Sequence, residues 1–115
     1  MGFKEVKILS GKFLQINFRF NVPPSDYIDA VTPLAADIAR VPGLLWKVWI
    51  MNEAESEAGG FYWFSDGDSL QAYLDGPIVA GVASHPALSD ISVKVFDNIE
   101  RLTEITKGPV FSSAA

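Results

Sequence analysis

The 115-residue sequence contains no cysteine and a single histidine, His85. Without thiols there can be no disulfide and no thiolate metal site. One imidazole cannot supply the three or four nitrogen or sulfur ligands of a usual zinc or iron centre. Glu53, Glu55 and Glu57 alternate within one turn, but no calcium-loop spacing accompanies them, so they read as a solvated loop. Basic clusters are also missing: the nine Lys and Arg residues are scattered and the net charge is −5, which excludes a nucleic-acid partner held through its phosphates. No apolar run approaches the length of a membrane span. The opening MGFKEVKILSGK has charge but no continuous apolar stretch, so it is not a secretory signal, and a cytoplasmic location is expected. P-loop, GxGxxG and GxSxG strings are absent, which argues against nucleotide binding and α/β-hydrolase chemistry. No tightly bound cofactor or metal is expected.

What is present is apolar and patterned. With 49% hydrophobic and 20% charged residues, a chain of this length is expected to form one globular domain with a real core. In GKFLQINFRFNVPP (11–24), Leu14, Ile16, Phe18 and Phe20 alternate with Gln15, Asn17 and Arg19, the pattern of a half-buried strand stopped by Pro23-Pro24. Residues 25–43 follow a helical period, with Ser25 as the expected N-cap, Asp26 and Asp29 at the positive end, Pro33 as a kink and Pro42-Gly43 as the stop. LLWKVWIM (44–51) and GGFYWFS (59–65) read as strands joined by the glutamate loop. Asp68 and Gln71 have capping-box spacing for a second helix, which Gly76-Pro77 interrupts before a further helical turn in PIVAGVASHP. A fourth strand follows at 90–97, then a short helix at 98–106 capped by Asn98. The predicted class is α+β, a ferredoxin-like βαββαβ fold with a four-stranded antiparallel sheet. The single domain has its core at about 13–106, an N-terminal extension at 1–12 and a loose tail at 107–115.

Sheet faces can be assigned from the same alternation. Trp46, Val48, Ile50, Phe61 and Trp63, with Ile91, Val93 and Val95, are expected beneath the helices beside Leu14, Ile16, Phe18 and Phe20. A short echo, WKVW in the second strand and VKVF in the fourth, places Lys47 with Lys94 and Trp49 with Phe96 on the other face. That face would carry Trp49, Tyr62, Phe64 and Phe96 with no helix to cover them. Four exposed aromatics mark an interface, and the expectation is a homodimer packed sheet to sheet.

PGLLWKVW, EAGGFYWFSD, AYL and KVFD, in this order between Phe13 and Thr106, resemble the YdhR family of mono-oxygenases in the dimeric α/β-barrel superfamily. The superfamily includes cofactor-free quinone-forming monooxygenases, haem-degrading enzymes and polyketide cyclases. The resemblance implies a homodimer of ferredoxin-like subunits, each with a ligand pocket between sheet and helices. It places Trp63 at the tryptophan that many members carry at the end of the third strand. The asparagine pair and pocket histidine of the haem-degrading branch do not carry over, since the first-strand position is Ile16 and His85 falls later.

Candidate site residues follow from these two readings. Trp46, Trp63 and Phe18 either fill the core or line a flat aromatic cavity for a planar substrate, because short helices broken by proline close poorly over many rings. His85 is the obvious general base, although a histidine beside proline in a loop can equally be surface. Tyr73 could turn its hydroxyl into the same pocket. Ser84 beside His85 makes no triad, as no third member is evident. Three functions stay open. One is cofactor-independent monooxygenation of a small aromatic or polyketide-like substrate that supplies its own electrons to O₂. The others are a cyclase or lyase reaction and binding without turnover.

Overall fold

The computed structural model describes residues 11–110. In β1 (Lys12–Phe20) the alternation acts as read: Leu14, Ile16, Phe18 and Phe20 are buried and the residues between them are not. The chain enters α1 (Pro24–Ala39) with Pro24 in its first turn, where a missing N–H forfeits no helical hydrogen bond. Pro23 therefore stands at the N-cap position without a side-chain cap, and Ser25, expected there, lies inside the helix. The helix runs through Pro33. Gly43, at φ +82°, takes a left-handed conformation that admits the chain to β2 (Leu44–Asn52). A 3-10 turn, Glu53–Glu55, leads into β3 (Glu57–Phe64).

The second helix, α2 (Gly67–Leu74), is capped by Asp66 rather than Asp68. The Ser69 N–H donates to the Asp66 carboxylate at 2.7 Å, satisfying one of the orphan donors of the first turn. That bond, with others from the Ser65 and Ser69 hydroxyls, also holds the Asp66 carboxyl below its ordinary pKa. The break at Gly76-Pro77 falls where predicted, and α3 (Pro77–Ala83), β4 (Leu88–Asp97) and α4 (Glu100–Ile105) complete the chain. Asn98 does not cap α4; it accepts a hydrogen bond from the Thr103 hydroxyl at 2.7 Å.

The four strands are antiparallel in the order β2-β3-β1-β4, the ferredoxin-like α+β arrangement. Register decides which side chains meet. Tyr62 pairs with both Leu14 and Lys47, Gly60 with both Ile16 and Trp49, and Val95 and Val93 pair with Leu14 and Ile16. Directly paired residues project to one side of a sheet. The helix-covered face therefore holds Lys47, Trp49, Tyr62 and Phe64 with the buried side chains of β1. The open face holds Phe13, Trp46, Val48, Ile50, Phe61, Trp63, Lys94 and Phe96.

This reverses the expected assignment for β2 and β3. Of the four aromatics proposed for an interface, Trp49, Tyr62 and Phe64 lie on the helix side and only Phe96 is on the open face. Lys47 and Lys94 are likewise on opposite faces. One cause is a bulge: Leu44 pairs with Phe64 but Trp46 pairs with Trp63, so the extra residue Leu45 switches side-chain parity along β2. The other is the lack of alternation in FYWF, where period two offers no choice of face. Tyr62 tolerates burial because its hydroxyl lies 2.9 Å from that of Tyr73.

The open face is unevenly covered. Val48, Phe61 and Phe96 are 51%, 40% and 47% exposed, whereas Trp63 is 2% exposed. Phe13 packs on Trp63 with ring centroids 4.6 Å apart, and Gly11 lies so close to the indole that a Cβ there would clash. Trp46 donates its indole N–H to the Pro109 carbonyl at 2.8 Å, and Val110 is buried, so the part of the tail within 107–110 is docked. Residues 1–10 of the expected extension and 111–115 of the tail lie outside the described residues.

Candidate functional site

Between the helices and the sheet lies a cavity of about 460 Å³. Its floor is Ile16 and Phe18 from β1, Lys47 and Trp49 from β2, Tyr62 from β3, and Leu88 and Ile91 from β4. Its roof is the inner face of α1, including Tyr27, Val31 and Leu34, with Tyr73 from α2 and Ile78 and Val82 from α3. The helices leave space because, Tyr27 and Tyr73 apart, the roof is made of medium side chains on segments interrupted at Gly76-Pro77. The volume lies in the range of ligand pockets, and the lining has their usual character, mostly apolar with a few polar tips.

Three of those tips adjoin one another, on Lys47, Tyr62 and Tyr73. The Lys47 ammonium position is 3.4 Å from the Trp49 ring centroid and 4.6 Å from that of Tyr62. The Tyr62 hydroxyl continues to that of Tyr73. Gly60, next to Lys47 across the strands, makes room for this: a Cβ at Gly60 would stand 2.5 Å from Cε of Lys47. Among the described residues no Asp or Glu lines the cavity and none pairs with Lys47. Burial lowers the Lys47 pKa to about 7. Burial, reinforced by the neighbouring Tyr73, raises the Tyr62 hydroxyl far above its ordinary pKa, and burial raises Tyr73 and Tyr27 as well. The tyrosines are therefore neutral hydrogen-bond donors at neutral pH, and burial brings the lysine to where it can exchange a proton.

The cavity gathers three of the five side chains named from the sequence. Phe18, Tyr73 and His85 line it; Trp46 and Trp63 stand on the opposite face of the sheet and do not. His85 is an exposed residue at the rim, and its Nδ1 accepts the Ala87 N–H at 3.0 Å. That bond occupies the free lone pair of the neutral ring and leaves Nε2–H as a donor, a poor arrangement for a general base. Sequence reasoning passed over Lys47, Tyr62 and Trp49 as site residues. The signal for Lys47 was a charge set in the middle of an otherwise apolar strand. In the glutamate turn Glu57 accepts from the Asn17 amide at 3.1 Å and the Glu55 carbonyl accepts from Arg19 at 3.2 Å; among the described residues no three His, Asp or Glu side chains are grouped to hold a metal. None of the described helices is long and apolar enough to cross a membrane.

Comparison with known proteins places this geometry. The structure is similar to SnoaB, a cofactor-independent oxygenase from Streptomyces nogalater, with a TM-score of 0.62 at 18% identity over 76% of this chain and 91% of that one. It is similar to protein SO0527 from Shewanella oneidensis, with a TM-score of 0.66 at 11% identity over 79% and 93% of the two chains. It is also similar to the haem-degrader MhuD from Mycobacterium tuberculosis, which has two haems bound in its active site; here the TM-score is 0.57 at 18% identity over 76% and 95%. At such identities these likenesses concern the fold. No curated protein sequence matches the chain. Residues 13–109 match the family model described as "Putative mono-oxygenase ydhR", and the chain belongs to that family.

Proposed function

We propose that the cavity binds a flat, largely apolar ring substrate and that the protein oxygenates it with O₂ without a cofactor. The carrying observation is the cavity itself: about 460 Å³ of mostly apolar lining, with the Lys47 amine over the Tyr62 ring and the Tyr62 hydroxyl beside that of Tyr73. An anthrone-type or phenolic substrate suits this shape and also suits the chemistry. Its anion can pass an electron to O₂, and conversion of a ring CH₂ to C=O by one O₂ yields one water, so no external reductant is needed. The protein's part is to orient the ring, exclude water and stabilise the anion. Membership of a mono-oxygenase family and the fold shared with a cofactor-independent oxygenase support this reading over a cyclase or a non-catalytic binder.

The test is oxygen uptake with dithranol, a dihydroxylated anthrone, together with quenching of Trp49 fluorescence. Leu34→Trp, which fills the roof, should abolish both. Uptake and quenching that survive the filled cavity would place the activity elsewhere.

We further infer that a second copy of the chain covers the open face. Val48, Phe61 and Phe96 form an exposed apolar surface there, with Lys94 and Gln15 paired across the strands beside them. Sheet-to-sheet packing of two such faces would bury these side chains.

A further inference from the structure

We infer that Lys47 is the proton acceptor of the cavity, taking the proton from a weakly acidic enol or phenol of the ring substrate and remaining as the counter-ion of the anion so formed. This rests on the ring-oxygenase reading above and names both a residue and a substrate class within it. In the transfer the substrate O–H bond breaks, its electron pair stays on oxygen, and an N–H bond forms at Nζ. The following oxidation by O₂ then starts from an anion already paired.

The position of Lys47 is specific to this task. It reaches the cavity from the middle of β2, its stem crossing the sheet over Gly60, with the side chain held against two aromatic rings. Among the described residues the other titratable groups facing the cavity are Tyr62 from β3, Tyr73 from α2, Tyr27 from α1 and His85 after α3. The three tyrosines are held protonated by burial, and the Nδ1 lone pair of His85 is taken by the Ala87 N–H. Among the described residues no carboxylate shares the space and none pairs with the ammonium. A lysine brought to about 7 by burial is mostly neutral amine just above neutral pH, ready to accept a proton. Once charged, it faces the π-clouds of Trp49 and Tyr62, which favour a cation. A phenol or enol is the matching partner. A permanent carboxylate would need no proton acceptor.

The experiment follows protons as well as colour. Dithranol is bound anaerobically at pH 8.5, where its anion is recognised by a long-wavelength band, and proton release to an indicator is recorded. The wild-type protein should show the anion band with no proton released, because Nζ takes it up. Lys47→Arg, already cationic, should show the band with about one proton released per probe. Lys47→Met should bind the neutral probe without the band, and its oxygen uptake should fall about a hundredfold or more, the usual span of general-base catalysis. An anion band persisting in Lys47→Met, or a proton released by the wild-type protein, overturns the proposal. NMR titration of the Lys47 ε-methylene in the empty protein decides the matter without any ligand. A midpoint well below the ordinary lysine value of about 10.4 is expected, and an ordinary midpoint overturns the assignment. Failure of the wild-type protein to bind dithranol while Lys47 titrates low counts against the ring substrate instead.

Discussion

Trp63→Ala should damage the fold and spare the cavity. The indole is 2% exposed on the open face, packed on Phe13 and closed in by Gly11. Truncating a buried tryptophan costs about 3–5 kcal/mol in lost burial and residual cavity. One feature pulls the cost towards the lower end: Trp63 Nε1–H is buried with no hydrogen-bond partner among the described residues, a burden of about 1–3 kcal/mol that the mutation removes. Trp63→Phe separates the two contributions. It keeps much of the ring packing and deletes the orphan donor, so its net cost should be within about 1 kcal/mol. For a domain of this size each kcal/mol shifts Tm by about 4 °C or somewhat more. Trp63→Ala should therefore melt at least about 10 °C lower, while Trp63→Phe melts close to the wild type. Urea titrations at one fixed protein concentration give the free energies, and dithranol binding is measured on the folded fraction. Binding should be unchanged in both Trp63 variants and weakened in Trp49→Ala, whose ring lines the cavity. Loss of binding in a fully folded Trp63→Ala, with retention in Trp49→Ala, would refute the assignment of faces. Equal costs for the Ala and Phe variants would refute the orphan-donor argument.

The remaining predictions concern assembly and pH. Phe61→Glu, on the open face, should convert a dimer to monomer in sedimentation at micromolar concentration, while Trp49→Glu on the helix side should leave assembly intact; a wild-type monomer removes the interface. Stability should rise with pH between about 7 and 10, because the native state holds Lys47 at about 7 while the unfolded chain keeps that proton to about 10.4, so the unfolded state binds more protons throughout this window. Above about 10 the sign reverses, since the unfolded tyrosines ionise while Tyr27, Tyr62 and Tyr73, raised by burial, stay protonated in the native state. Lys47→Met should flatten the rising limb in urea unfolding followed across this range, and an unchanged slope would dissociate it from this residue.

Local chemistry and periodicity were enough to determine the class of fold. The alternation in β1, the helical period of α1, and the break at Gly76-Pro77 each act through nearest neighbours, so they are legible without a partner. The same holds for Phe18 in the cavity floor, which belongs to an unambiguous strand. The faces of β2 and β3 were not legible, because a strand's parity depends on its register with its neighbour. One extra residue at Leu45 inverts the parity, and no property of Leu45 itself announces the bulge. Apolar alternation in β2 points to the face with Trp46, Val48 and Ile50, but a sheet can bury rings on either side. Here the side that keeps a lysine is the one beneath the helices. Only tertiary structure brings Lys47 and Trp49 together with Tyr62 and Tyr73, through the register of β2 on β3 and the docking of α2. Only it decides that Trp63 is packing material while Trp49 lines the cavity. The cavity is itself a tertiary quantity, the volume left where ring-bearing strands meet helices too slight to fill it.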